Sequence, residues 1–405
     1  MSLAHMTPKI LLETVACAVC GGTDNRPLYQ SSPMQSGLFA GVRNSICECT
    51  ACGFIFSNPR PEQQAYIRHY GELDEGSGQV FRSLQSGGDL TEGSTLLAQY
   101  ISEILKQRPN GRLVDIGCGV GSFINALNTE HWTVEGIEPS ANAAGTARTD
   151  GLTIHEGFFG SIALEPGGYD VVTILNVLEH IWDPNMAMQE INRIAKDDAL
   201  LVVAVPNTRY PILGLAEFFE IEHVSHFTAQ TLSAFLRKNG WRDVHWETRF
   251  GKEKGLFILA ARGPGIWTDL ANAEIVDERE LVRQAVEDYA ANREQLVGTI
   301  RNKLAERLDR WLQDGTRVAL YGAGSYAAQL VDALGGELTF DMVFDGDPRK
   351  WGQSFLGKTI HNPEDIQGCG VDVFLVASGT FVSEISTTIH RFASPDVEIV
   401  TLSAG

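Results

Sequence analysis

The sequence predicts an α/β protein: a small four-cysteine lobe, a sheet-and-helix domain, and a second, smaller α/β domain. Three observations lead there. Two Cys-x-x-Cys-Gly units, "CAVCG" at Cys17 and "CTACG" at Cys49, stand near the start. From residue 111 apolar strands alternate with helices at the period of βαβ units, which build mostly parallel sheets with right-handed crossovers. At 317 the alternation begins again. A length of 405 residues fits two or three domains at roughly 150 residues each.

The cysteines come first. Cys17, Cys20, Cys49 and Cys52 form two pairs with 28 residues between them (49 − 20 − 1). Each short loop turns both thiolates to one side, and four thiolates suit a tetrahedral, closed Zn²⁺ site. Such a site is structural, fixing a lobe too small to bury a core of its own. The alternative is a set of buried free thiols. Cys47 belongs to neither pair. Five of seven cysteines fall in the first 52 residues. That crowding predicts metal ligation in a reducing cytoplasm rather than a disulfide framework.

The opening "MSLAHMTPK" has no apolar stretch and predicts no secretory signal. No apolar run nears the ~20 residues of a membrane span. A net charge of −19 repels nucleic acid and anionic membrane. Any anionic substrate would need a local positive site.

Residues 10–65 read as short strands and turns. Residues 71–94, rich in Gly, Ser and acids, read as a linker or mobile loop. Then come the strands "RLVDIG", "WTVEGIEP", "LTIHEG", "YDVVTIL" and "ALLVVAVP". "WRDVHWETRF" and "GLFILAARG", joined by "GKEKG", read as an antiparallel hairpin at the sheet edge. Residues 274–313 are amphipathic and lack Pro, so one or two helices are expected. The implied parts are 10–90, 91–270, a helical connector 271–313, and 314–405.

"RLVDIGCGVGSFINAL" is a strand, a turn with Gly117, Gly119 and Gly121, and a helix. Asp115 ends the strand, and Glu138 ends the next. No Lys follows the glycines, which excludes a phosphate-binding P-loop. Dinucleotide sites use similar turns. In this setting, residues 111–262 resemble a class I S-adenosylmethionine-dependent methyltransferase with a seven-stranded sheet. The resemblance implies that the Gly turn lets the backbone approach the cofactor's aminoacyl part. It places Asp115 near the cationic amino group and gives both ribose hydroxyls to Glu138. Phe158 of "EGFF" becomes a candidate stacking partner for adenine, with ordinary core packing the other reading. "ILNVLEHIWDP" puts Asn176, Glu179 and His180 at the carboxyl edge of the sheet, where open α/β folds bind ligands.

"EFFEIEHVSHFT" packs Glu217, Glu220, Glu222, His223 and His226 before a helix capped by Thr228. A Glu beside a His can hold a neutral imidazole in one tautomer; for His226, packing under the helix is the expected role. Taken whole, "CAVCG", "CTACGFIFSNPRP", "DIGCGVGSF", "LNVLEHI", "EHVSHFT" and the tail "LYGAGSYA … VFDGDPRKWGQSFLGKTI" resemble the nucleotide-sugar C-methyltransferases of deoxysugar biosynthesis. That implies methylation of a carbon next to a 4-keto group on a dTDP-linked sugar. His223 would be the base, with Glu222 beside it and His180 across the pocket. Two departures stand out. Glu220 occupies the place of an expected tyrosine, and Tyr70 is the candidate for a second. O- or N-methylation of a sugar or small metabolite is the alternative. A cytoplasmic monomer or homodimer is expected.

"VALYGAGSYAAQLV" repeats the Gly turn, and Asp345 lies 21 residues past Gly324. NAD binding, a cofactor-free module that helps enclose the nucleotide-sugar, and another small ligand are the open readings.

Overall fold

A computed structural model describes residues 10–31, 33, 38–39, 41–76, 88–127, 130–214, 217–247, 255–263, 276–333, 340–378 and 381–401. Two compact units divide the chain: Met1–Pro33 with Leu38–Ile212 and Phe219–Asp288, and Met34–Gly37 with Leu213–Phe218 and Tyr289–Gly405. Among the described residues no helix is long and apolar enough to cross a membrane.

The first unit begins with β1 (Leu12–Glu13), β2 (Asn25–Gln30), β3 (Ser45–Cys49), β4 (Ile55–Ser57) and β5 (Arg60–Pro61), then α1 (Gln63–Gly76) and α2 (Gly88–Leu105). Helix therefore covers 71–76 and 88–94 of the expected linker, while 77–87 lie outside the described residues. Local composition misled there because apolar anchors further along decide. α1 buries Ala65 and Tyr66, α2 buries Ala98, Ile101, Ile104 and Leu105, and packing overrides weak propensity.

The main sheet follows, with β6 (Gly111–Ile116), α3 (Ser122–Ala126), β7 (Trp132–Glu138), α4 (Ala141–Thr149), β8 (Thr153–Glu156) and β9 (Tyr169–Leu175). After a 3₁₀ turn at Leu178–His180 come α5 (Pro184–Ile194), β10 (Ala195–Val205), β11 (Ser225–His226), α6 (Ala229–Lys238), β12 (Arg242–Trp246) and β13 (Leu256–Ala261). Seven strands lie in the order β12-β13-β10-β9-β6-β7-β8. All neighbours are parallel except β13, which runs antiparallel to β10 and β12, as the expected hairpin requires. Strands β9 and β13 are apolar almost throughout because both faces of the sheet are covered. Chain order reverses at β6, between β7 and β9, so ligand-binding loops gather at that carboxyl edge.

Strand β11 leaves this sheet and joins another, in the order β11-β4-β3-β2. Ser225 pairs with Phe56 and His226 with Ile55. Cys17, Val19, Cys49, Phe54 and Phe56 pack in one core with Ile174, Val203, Phe227 and Trp241. The cysteine lobe thus shares its core with the main sheet.

Helix α7 (Arg279–Asp314) starts in the first unit and ends in the second. The second unit continues with β14 (Val318–Tyr321), α8 (Ser325–Ala333), β15 (Met342–Phe344), β16 (Ser354–Phe355), β17 (Lys358–His361), β18 (Val373–Val376), α9 (Val382–Phe392) and β19 (Glu398–Thr401). Its sheet runs β16-β17-β15-β14-β18-β19, parallel apart from the β16/β17 pair.

Candidate active site and metal clip

The clip is assembled from two turns. Sγ atoms of Cys17 and Cys52 lie 3.5 Å apart, as do those of Cys20 and Cys49. All four fall within 4.8 Å of one another. Tetrahedral Zn–S bonds of about 2.3 Å place sulfurs about 3.8 Å apart, so the set fits Zn²⁺. Gly21 and Gly53, after each pair, have φ of +78° and +77°, which L side chains rarely adopt. Cys47 stands apart; its thiol donates to the Asn58 carbonyl at 3.0 Å.

The turn after β6 carries the candidate cofactor residues. Gly117 has φ +72°, and a Cβ there would sit 2.4 Å from Val177 Cγ2, so only glycine fits. Glu138 ends β7 with its carboxylate accepting from the amides of Gly119 (2.9 Å) and Ser140 (2.8 Å). Gly121 immediately precedes α3. Asp115 is buried, and the Thr173 hydroxyl donates to it at 2.6 Å. Burial pushes its carboxyl up to about 7 against that bond, with the Glu138 charge adding to the rise. A cationic group would relieve both effects, so the donor set fits the aminoacyl end of S-adenosylmethionine. Phe158 is 42% exposed and Phe159 packs on the core, so the reading of Phe158 as core is set aside. Asn176 is exposed with φ +54°, its amide tied to Ala204 O at 2.8 Å.

Beyond β9, His180 and His223 meet edge to face with ring centroids 4.5 Å apart. Burial is the main cause holding His180 down at about 3, with His223 adding to it, so the ring is neutral. Glu222 does not turn to His223 in the way its neighbouring position suggests. It bonds His69 Nε2 at 2.9 Å. Burial acts to raise the Glu222 carboxyl, but the His69 bond and nearby imidazoles hold it below the usual range. Tyr70 lies with its hydroxyl 3.3 Å from His180 Nδ1. His226 is buried beneath Phe219, and burial keeps it neutral. Glu217 is taken by Arg293 (2.6 Å).

Sequence reading missed His69. Tyr66, His69 and Tyr70 lie at i, i+3 and i+4, one face of a helix. That period was the available signal, in the short stretch between the turn-rich segment 10–65 and the expected linker at 71–94.

The whole 219–224 loop hangs on the N-terminal lobe and α1. Asn44 Nδ2 donates to Phe219 O (3.1 Å) and Glu220 O (2.9 Å), and Tyr66 hydroxyl donates to Ile221 O (3.0 Å). Ser57 donates through Oγ to His223 O and through its amide to Val224 O, both at 3.1 Å. Ser57 ends β4, which begins three residues after Cys52. The clip therefore braces the strand that carries the His223 loop.

Two stretches of the chain match known protein families. Residues 91–246 match the family described as "Methyltransferase domain". This span is an S-adenosylmethionine-dependent methyltransferase domain. Residues 269–402 match the family described as "C-methyltransferase C-terminal domain". The ubiquinone biosynthesis O-methyltransferase of Methylococcus capsulatus is 31% identical to this chain over 138 residues, 32% of this chain and 58% of its own. The enzyme of that name from Nitrosomonas europaea is 28% identical over 137 residues, 31% and 58% respectively. The chain thus spans little more than half the length of these relatives. A solved structure, the CurJ carbon methyltransferase, overlaps 47% of this chain and 59% of its own at 13% identity, with a TM-score of 0.40. That overlap is too slight to carry weight.

In the second unit, Asp345 directly follows β15 and accepts from the amides of Ala323 and Asp347, both at 2.8 Å. Lys350 Nζ also pairs with it at 2.9 Å. A ribose diol would have to displace that ammonium.

Proposed function

We propose that the protein moves a methyl group from S-adenosylmethionine to a carbon beside a ketone, on a nucleotide-linked deoxysugar. One observation carries this reading: His223 faces a neutral His180 at the carboxyl edge of the sheet, on a loop pinned by the four-cysteine lobe. The match to a C-methyltransferase family supports carbon as the acceptor. The sugar rests on the sequence resemblance alone.

Carbon becomes nucleophilic only after losing a proton. His223 accepts the proton α to the ketone, leaving the electron pair in an enolate. S-adenosylmethionine supplies an electrophilic methyl on sulfonium sulfur. The enolate carbon would take that methyl, with the C–S bonding pair left on sulfur. Glu138 and Asp115 orient the donor. The four-cysteine lobe, packed on the main sheet and bonded to the His223 loop, would help keep water from the enolate. His223 then releases its proton to solvent.

His223→Ala should cut turnover by about 10²–10⁴-fold, the range for general-base catalysis, with both ligands still bound. The wild type should wash deuterium from D₂O into the keto-sugar or show a primary isotope effect at the reacting carbon. The named relatives act on oxygen, and methyl transfer to oxygen predicts neither result. Near-normal turnover in His223→Ala without an isotope effect would overturn carbon methylation and favour oxygen.

A further inference from the structure

Glu179, His180 and His223 bring one carboxylate oxygen and two imidazole nitrogens within 4.8 Å of one another. Glu179 is only 2% exposed, and its Oε2 has no hydrogen-bond partner. A buried oxygen left without a donor is destabilising unless a proton, water or cation meets it. No described side chain fills that role. Glu222, the acid next to His223 in sequence, is taken by His69. Tyr70 occupies Nδ1 of His180, which leaves Nε2 for a further ligand.

Two imidazoles with one carboxylate suit Zn²⁺ and its transition-metal neighbours better than Mg²⁺ or Ca²⁺. Bonds of about 2.0–2.2 Å need donors about 3–3.6 Å apart, so small side-chain rotations would close the set around an ion. Three protein ligands leave a coordination position open, unlike the closed four-cysteine clip. A Tyr70 hydroxyl accepting from Nδ1–H of His180 is a supporting bond of the kind that orients metal-bound histidines.

We propose that Glu179, His180 and His223 form a second, exchangeable site for a divalent transition-metal ion such as Zn²⁺, and that an ion held there stops methyl transfer. The inhibitory half rests on the reading of His223 as base. An imidazole bound to metal through one nitrogen keeps its proton on the other and cannot accept the substrate's.

The test titrates the full-length protein, its clip already filled, with ZnCl₂ under equilibrium dialysis, and follows turnover in parallel. A second equivalent should bind the wild type, and turnover should fall at least tenfold as it binds. Glu179→Gln, and independently His180→Asn, should lose the second equivalent and keep the first. The turnover that remains in Glu179→Gln should need at least tenfold more zinc to inhibit. With Co²⁺ as probe, the second equivalent should show d–d absorption without a thiolate charge-transfer band. A single equivalent in the wild type, or two equivalents in both variants, overturns the site. Two equivalents with unchanged or faster turnover overturn the inhibition. Full turnover in His223→Ala would instead remove the base assignment, leaving zinc stoichiometry as a separate result.

Discussion

Cofactor binding should release a proton from Asp115. The residue is 3% exposed, and burial raises its carboxyl to about 7, outweighing the Thr173 hydroxyl bond that works the other way. The folded pKa lies above the unfolded one near 4, so the free fold favours the neutral acid. Stability of the free protein from this group is therefore lost as pH rises from about 4 to 7. A bound ammonium group reverses the preference and favours the carboxylate. At pH 6 about nine in ten Asp115 side chains carry a proton, so binding should release about 0.9 proton. Affinity should rise about tenfold per unit from pH 5 to 7 and level off above. Calorimetry at pH 6, in two buffers of different ionisation enthalpy, measures the released proton. Asp115→Asn should bind more weakly and abolish both the release and the slope. A pH-independent affinity in the wild type, or equal release in Asp115→Asn, would refute the placement of the amino group.

Three further outcomes are expected. Exhaustively dialysed protein should retain one Zn²⁺ per chain. Cys52→Ser should lose it, with a lower Tm in calorimetry and lower turnover, because β4 follows within three residues and pairs with β11. Glu138→Ala should weaken S-adenosylmethionine binding by about tenfold or more in calorimetry. It removes charge-assisted acceptors worth about 1.5–3 kcal/mol each and frees the amides of Gly119 and Ser140. His69→Ala and Glu222→Gln should each lower kcat about tenfold without changing cofactor affinity. Steady-state kinetics of the double variant should show no added loss, because the two act as one unit.

Local pattern was enough to read much of this protein. A strand followed by closely spaced glycines reaches no further than one turn, and Gly117 needs its positive φ whatever lies elsewhere. The parallel sheet, its terminal hairpin and the pairing of the four cysteines were legible for similar reasons, since period and spacing are short-range properties. Composition failed where it was asked about 71–94. There, helix ends are decided by apolar anchors many residues away, such as Ala98 and Ile101.

The partners within the site are a different matter. Glu222 adjoins His223 in sequence, yet its carboxylate goes to His69, 153 residues earlier. Tyr70 reaches His180 across 110 residues. Glu222 lies inside a turn closed by the His223 amide donating to Glu220 O at 3.1 Å, and nothing in local spacing says which distant side chain a turn residue will meet. The sequence by itself determined the sheet, the Gly turn and a cysteine set spaced for metal, because each depends on residues close together in the chain. Only the tertiary structure decided that β11 would leave the main sheet for β4 and hang the His223 loop on the cysteine lobe. That pairing joins segments about 170 residues apart, and backbone hydrogen bonds carry no signature in side-chain spacing.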